Sequence, residues 1–408
     1  MSIETIFLLF SLFVWPGCNA DKPILDNKVS EHVLGEAEGL PLYTGADQVD
    51  KYMPILKGAR VGLLINQTSM VGDKSLVDVM VENGVRVQAI FAPEHGFRGE
   101  ADAGAEIPDG KDKLTGIPII SIYGQKKAPD AGDLKDIDVV VFDVQDVGAR
   151  FYTYLSTLKY LMEACARNNV SLLVLDRPNP NGHYVDGPIL EPAFTSFVGV
   201  IPIPIVHGMT LGELAGMMNG EGMLAEGIKC RLKVVTCQNY NHHVPYKLPV
   251  KPSPNLPNQL SVLLYPSLCL FEGTNFSVGR GTDKQFQIYG SPEAGEGDFY
   301  FTPQPKPGAM KPFLEGKKCR GFDLSGMKEV EVMKEGRLNL SYILKAYASC
   351  KEKKTFFLKN NFIDKLAGTD KFRKQVVSGL SEDQIRESWQ PGLSTFKELR
   401  KKYLLYPD

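Results

Sequence analysis

The sequence has no surplus of either charge: 46 Lys and Arg stand against 48 Asp and Glu, a formal net charge of −2. So even a balance gives no bulk attraction to nucleic acid or to an anionic membrane surface. After the first twenty residues, no stretch approaches the ~20 apolar residues of a membrane-spanning helix. Several chemical signatures are missing too. No two cysteines form a C-x-x-C pair, and no Cys/His cluster has zinc spacing. H-E-x-x-H is absent, and so is the G-x-S-x-G elbow of α/β-hydrolase esterases. Asn66 follows the first apolar strand, where a dinucleotide binder would place G-x-G-x-x-G. Gly279-Arg280-Gly281-Thr282 lacks the spacing and the Lys-Ser/Thr ending of a Walker loop. No repeat of about 20–50 residues is evident. Neither a metal nor an organic cofactor is expected.

What is present is ordinary globular material. With 408 residues, 43% of them hydrophobic, the chain can fill the cores of roughly two or three domains. Its amino end differs in kind. Ile6 to Trp15 is almost wholly apolar, the length of a signal-peptide core and too short for a spanning anchor. It runs into Pro16-Gly17-Cys18, and a small residue before Cys resembles a bacterial lipoprotein processing site, with Cys18 as the lipidated first residue. Two features depart from that pattern: residues 1–5 carry no Lys or Arg, and Trp15 stands where Leu is usual. The expectation is a signal peptide over residues 1–20 and a polar tether over 21–45. The mature protein would be periplasmic, or held at a membrane surface by its lipid. The six other cysteines are even in number and could pair, although Cys165 and Cys269 lie in apolar runs and read as buried thiols.

From Ala59 the chain alternates between two periods. Short β-branched runs occupy residues 60–65, 85–91, 117–122, 139–144 and 172–175, and helical spacing occupies 75–83 and 153–168. In the second helical stretch Leu155, Leu158, Leu161, Met162 and Cys165 share a face. Near-continuous apolar strands separated by helices predict a parallel sheet covered on both sides, a doubly wound α/β domain. Prolines punctuate residues 245–257. The end of the chain is rich in Lys, Glu and Leu, with helical stretches at 342–351 and 382–389, and reads as a smaller α+β domain. The domain boundaries are placed at 46–257 and 258–408.

In open α/β sheets ligands bind beyond the carboxyl ends of the strands. The residues that follow the five apolar runs are Asn66-Gln67-Thr68, then Pro93 to Glu100, then Tyr123-Gly124, then Asp143 to Tyr154, then Asp176 to Gly182. Five strand ends rich in carboxylates, amides, arginines and tyrosines favour a polar pocket of the kind that handles sugars.

Four blocks make the resemblance specific: Phe91-Ala-Pro-Glu-His-Gly-Phe-Arg-Gly99, the stretch Asp143 to Tyr154, Asp176-Arg-Pro-Asn-Pro-Asn-Gly182, and Glu272-Gly-Thr-Asn-Phe-Ser-Val-Gly-Arg-Gly-Thr282. Over about residues 40–408 the chain resembles the exo-acting β-N-acetylmuramidases of bacteria. The resemblance implies a Rossmann-like N-terminal domain, a smaller C-terminal domain and a cleft between them. It also implies release of β-linked N-acetylmuramic acid from the non-reducing end of peptidoglycan disaccharides or muropeptides.

The residues supply candidate roles. Glu94 follows an apolar strand and Pro93, where partial desolvation would favour the protonated form a general acid needs. His95 beside it could orient it. Asp146 is the candidate second carboxylate, with a helix N-cap as its equal alternative. Tyr152 could donate a hydrogen bond or, as in sialidases, attack as a nucleophile. Packing on the next helix is the alternative for both Tyr152 and Tyr154. Arg150, Arg177 and Arg280 are candidates to read the lactyl carboxylate of muramic acid, although Arg177 could instead pair with Asp176. Asn66, Asn179, Glu272 and Asn275 complete the expected substrate-binding set. Thr210 reads as a helix N-cap with Glu213 as its capping-box partner, and His242 and His243 as solvated. Two rival functions remain: a sugar-binding lipoprotein with the same cleft and no turnover, and a carboxylate-dependent amidase or esterase.

Overall fold

A computed structural model describes residues 40–94, 96, 97 and 109–408. The export segment, Cys18 and His95 lie outside the described residues. Seven strands form the large sheet: β1 (Arg60–Ile65), β2 (Arg86–Ala92), β3 (Gly110–Lys111), β4 (Pro118–Ser121), β5 (Val139–Asp143), β6 (Ser171–Leu175) and β7 (Arg231–Val235). Their order is β3-β4-β2-β1-β5-β6-β7, and all neighbours are parallel except the short β3 against β4. The chain runs outward from β1 through β2 to β4, then returns to the far side of β1 with β5. That reversal makes a topological switch point between β1 and β5, and the crevice at their carboxyl ends is where such sheets bind ligands.

The apolar runs form strands because both of their faces find cover. Leu63 and Ile65 pack with Leu76, Val77 and Met80 on one side of the sheet. Leu64, Phe91, Phe142 and Val174 join Leu158, Leu161 and Met162 on the other. The helices that supply this cover are Leu76–Glu82, Tyr154–Arg167 and Leu211–Gly220. The last starts from the expected capping box: Thr210 Oγ1 accepts from the Glu213 amide at 3.2 Å, and Glu213 Oε2 accepts from the Thr210 amide at 2.9 Å. β7 was not among the apolar runs, because Arg231 and Lys233 alternate with its apolar positions. It is an edge strand with one half-solvated face.

The smaller C-terminal domain is built on an antiparallel sheet of β8 (Ile288–Ser291), β9 (Phe299–Phe301) and β10 (Cys319–Asp323), with β10 in the middle. Its final helix, Glu382–Arg400, runs well past the expected end at Trp389 and through Pro391. Buried Leu393 and Phe396 carry it on, and packing of an apolar stripe outweighs the one backbone bond a proline removes.

Three further expectations are corrected. His242 is buried rather than solvated: Nε2 lies 3.0 Å from Glu213 Oε2 and Nδ1 3.1 Å from Asp408 Oδ1. Residues 41–45, expected as tether, are docked, with Tyr43 bridging Gln238 and the Gly45 amide donating to the Asp176 carbonyl at 2.7 Å. The six described cysteines are buried free thiols and do not pair as their even number allowed, while Cys165 and Cys269 are buried as their apolar runs implied.

Candidate active site

A cleft of about 880 Å³ opens at the carboxyl ends of β2, β4 and β5 and is closed on its other side by the C-terminal domain. Glu94, Tyr123 and the run Phe151 to Tyr154 line the first wall, and Tyr265, Glu272, Arg280, Phe286 and Phe362 the second. Glu94 is half-buried. Tyr123 donates to its Oε1 at 2.8 Å, and the Thr153 hydroxyl donates to Oε2. Thr153 occupies the N-cap position of the helix Tyr154–Arg167 but makes no side-chain cap bond. Its hydroxyl goes to Glu94 instead, which places the carboxyl at the amino end of that helix.

A layer behind the wall holds these groups in place. The Tyr154 hydroxyl donates to the Glu94 carbonyl at 3.4 Å and accepts from Asn66 Nδ2 at 2.8 Å. Asn66 Oδ1 in turn accepts from the amide and hydroxyl of Thr68. Asn66 is therefore buried support for the cleft rather than part of its surface. Tyr152 faces the cleft with its ring edge-on to Tyr154 and Tyr265, at 5.0 and 5.7 Å between centroids. Its hydroxyl donates to the Pro252 carbonyl at 2.9 Å, and burial pushes its pKa well up. A phenol held this way packs and donates, and nucleophilic attack would need the phenolate that burial disfavours.

Several expected site residues are spent elsewhere. Arg150 is fully buried and gives its guanidinium to the carbonyls of Pro188, Ile203 and Leu366 at 2.6–2.9 Å. Burial without a carboxylate partner lowers its pKa to about 9. It pins three chain segments together and does not reach the cleft. Arg177 pairs not with Asp176 but with Asp143, through Nε and through Nη2 at 2.9 Å, and also holds the Met70 carbonyl. Asp176 accepts instead from Thr210, Tyr406 and the Gly212 amide. Asn179 is buried between the Met209 carbonyl and the Asn181 amide. Asn275 lies off the cleft, with its amide hydrogen-bonded to the Phe356 carbonyl at 2.7 Å.

Asp146 also stands behind the wall, beside a small void it shares with Asn179 and Thr210. It is not a helix N-cap: Oδ2 accepts from the Gly148 amide at 2.7 Å, and Oδ1 has no partner among the described residues. Burial pushes its pKa up to about 7. The turn it closes needs Gly148. There φ is +78°, and a Cβ would come within 2.1 Å of Asn179 Oδ1.

Glu272 and Arg280 do reach the cleft. Arg280 Nε donates to Glu272 Oε1 at 2.6 Å, and the guanidinium lies 5.0 Å from the Phe286 ring centroid. Of the twelve expected site residues, Glu94, Tyr152, Tyr154, Glu272 and Arg280 thus converge on one cavity. Sequence reasoning did not single out Tyr123 or Thr153 as partners of Glu94, nor Phe197, Tyr265 and Phe286 as cleft walls. Tyr265 carries no local signal, since an aromatic in an apolar run reads as core, and Phe286 stands alone among polar residues where no period places it. The arrangement offers one hydroxyl-held carboxyl, a second carboxylate paired with an arginine, and aromatic faces between them. That is a site for a ligand with both apolar faces and polar edges.

The geometry agrees with what the chain is similar to. Residues 61–260 match the family described as exo-beta-N-acetylmuramidase NamZ, N-terminal, and residues 263–406 its C-terminal counterpart. The peptidoglycan beta-N-acetylmuramidase NamZ of Bacillus subtilis (strain 168) is 40% identical over 384 residues, which cover 89% of this chain and 91% of that one. A DUF1343 family protein of Bacteroides fragilis has a crystal structure that superposes with a TM-score of 0.84 at 47% identity, covering 90% of this chain and 100% of its own. A second DUF1343 protein of that organism superposes with a TM-score of 0.72 at 29% identity, over 90% of this chain and 99% of its own.

Proposed function

The chain belongs to the NamZ family of exo-β-N-acetylmuramidases, and from that premise we propose that its cleft removes β-linked N-acetylmuramic acid from the non-reducing end of peptidoglycan fragments, with Glu94 as the general acid. The observation that carries the assignment of Glu94 is its place: a half-buried carboxyl on the cleft wall, oriented by the hydroxyls of Tyr123 and Thr153. Glu94 protonates the glycosidic oxygen as the bond to the anomeric carbon breaks. Tyr152, Tyr265 and Phe286 give the sugar apolar faces to rest on. The anomeric carbon is then taken by water, by a carboxylate or by the substrate's own 2-acetamido oxygen. Direct attack by water inverts the product anomer, and either two-step route retains it. Asp146 stands behind the wall, which leaves Glu272 as the other described carboxylate in the cleft.

The test is turnover of a muramic acid–glucosamine disaccharide. Glu94→Gln keeps the shape and the acceptor for Tyr123 but removes the transferable proton. General acid catalysis supplies about 10²–10⁴-fold, so kcat should fall by that order. On an aryl glycoside with an acidic phenol the fall should be smaller, because that leaving group needs less protonation. Near-wild-type turnover of the disaccharide by Glu94→Gln would make Glu94 structural. Binding of the disaccharide by the wild type without any release would support a binding protein instead.

Export belongs to the same reading. The apolar run Ile6 to Trp15 and the small residue before Cys18 support a leader cleaved ahead of a lipidated Cys18. Mass spectrometry of the mature protein from its host should show the loss of roughly seventeen residues, the length that cleavage before Cys18 implies. An intact Met1 would end this proposal.

A further inference from the structure

N-acetylmuramic acid differs from N-acetylglucosamine by the lactyl ether on O3, so one well-placed cation can tell the two sugars apart. Arg150 and Arg177 are out of reach for it: both are buried and neither lines the cleft, the first holding three carbonyls and the second Asp143 and the Met70 carbonyl. Arg280 is placed differently. It lines the cleft with Glu94, and its side chain keeps 23% of its surface exposed. Nε is tied to Glu272 Oε1 at 2.6 Å, and the guanidinium carbon lies over the Phe286 ring, 5.0 Å from its centroid. Among the described residues, Nη1 and Nη2 have no hydrogen-bond partner, and neither atom is buried. A guanidinium has five donors in a rigid fork, and here one end is anchored while the other is open to the cavity.

We propose that Arg280 is the specificity-determining residue of this cleft: its free Nη1–Nη2 edge takes the lactyl carboxylate of N-acetylmuramic acid in a bidentate pair, and Glu272 positions it from the Nε side. The proposal rests on the muramidase reading and names the group within it that rejects the unsubstituted sugar. Glu272 pairs with Arg280 through Nε and the Phe286 ring lies against its guanidinium, so little side-chain freedom is left to lose on binding. Lys311 also lines the cleft, but it is exposed and carries a point charge without a fork.

The experiment compares the 4-nitrophenyl β-glycosides of N-acetylmuramic acid and N-acetylglucosamine with the full chain. The wild type should prefer the muraminide. Arg280→Met and Arg280→Lys should lower kcat/KM on the muraminide by about 10- to 150-fold, the equivalent of one charge-assisted hydrogen bond. The glucosaminide should change little, so the ratio of the two collapses. Glu272→Gln should move the ratio the same way but less, because an amide oxygen still accepts from Nε. Lys311→Met should leave it alone. Calorimetry of N-acetylmuramic acid against its lactyl methyl ester gives a second readout that needs no turnover: the wild type should favour the acid, and Arg280→Lys should lose that preference. Equal losses on both glycosides, an unmoved ratio, or a ratio that collapses in Lys311→Met would each overturn the assignment to Arg280, as would equal wild-type affinity for acid and ester. A wild type that cleaves neither glycoside removes the muramidase reading itself.

Discussion

Asp146 shows how a carboxyl in a promising loop becomes a structural group. The strand end that carries it does border the cleft, but the turn at Gly148 sends the side chain inward. Burial raises its pKa to about 7, above the value it has in an unfolded chain. Below about pH 4 both states hold the proton, and the contribution to stability is complete. As pH rises the unfolded chain releases its proton first, so stability falls until the pH passes about 7, where the folded group ionises as well. Asp146→Asn keeps an acceptor for the Gly148 amide and removes the titration. Denaturation at several pH values should therefore show the variant gaining on the wild type by up to about 1.4 kcal/mol per pH unit between roughly pH 4 and 7. A difference that stays flat across that window would sink the idea. The same residue marks the limit of reading a site from sequence. Residue type identified Glu94, Glu272 and Arg280, because a carboxyl after an apolar strand and an Arg in a Gly-rich loop are chemically unusual places. It could not say which way a loop turns, and so it counted Arg150, Arg177 and Asn179 as ligand groups when each is committed to backbone or to Asp143.

At the scale of elements the division is between strand ends that touch the cavity and strand ends that hold it. Those after β2, β4 and β5 supply Glu94, Tyr123 and the run Phe151 to Tyr154. The end after β1 stands behind them, with Asn66 fixing Tyr154 and Ser69 accepting from the Asn66 amide. The end after β6 turns away and closes on the helix Leu211–Gly220 through Asp176. The parallel sheet was legible because its strands are short, apolar on both faces and separated by helices with a clear stripe. The C-terminal domain was legible only as a mixture. Its strands are three to five residues long and carry Tyr, Arg and Asp, so their alternation is too brief to register. The domain's cleft residues Glu272 and Arg280 come from a 3₁₀ turn and the loop after it, where no period runs, so residue type alone singled them out.

The whole molecule is tied by its last residues. Residues 41–408 form one compact unit, and the tail beyond the final helix returns to the large sheet. The Leu405 amide donates to Glu213 Oε1 at 2.8 Å, and Arg400 holds both the Gly208 carbonyl and Asp408. Tyr406 is the centre of this clasp. Its hydroxyl donates to Asp176 Oδ2 at 2.6 Å and accepts from the Cys237 amide at 2.9 Å, while its ring packs on Tyr240 at 4.9 Å between centroids. Tyr406→Phe keeps the ring and removes both hydrogen bonds, leaving the Cys237 amide buried without its acceptor. The cost should be about 1–3 kcal/mol, read as a lower denaturant midpoint with an unchanged m-value. It should also depend on pH. Burial raises Asp176 to about 6, and the hydrogen bonds from Thr210 and Tyr406 work against that rise by favouring the carboxylate. Losing the Tyr406 donor penalises the ionised form most, so the variant should lose more stability at pH 8 than at pH 5, where the carboxyl is largely protonated. Tyr406 does not line the cleft, so kcat/KM at 25 °C should match the wild type. An equal loss at both pH values would mean that the hydroxyl serves Cys237 alone, and no loss at all would mean that the clasp adds nothing to the fold.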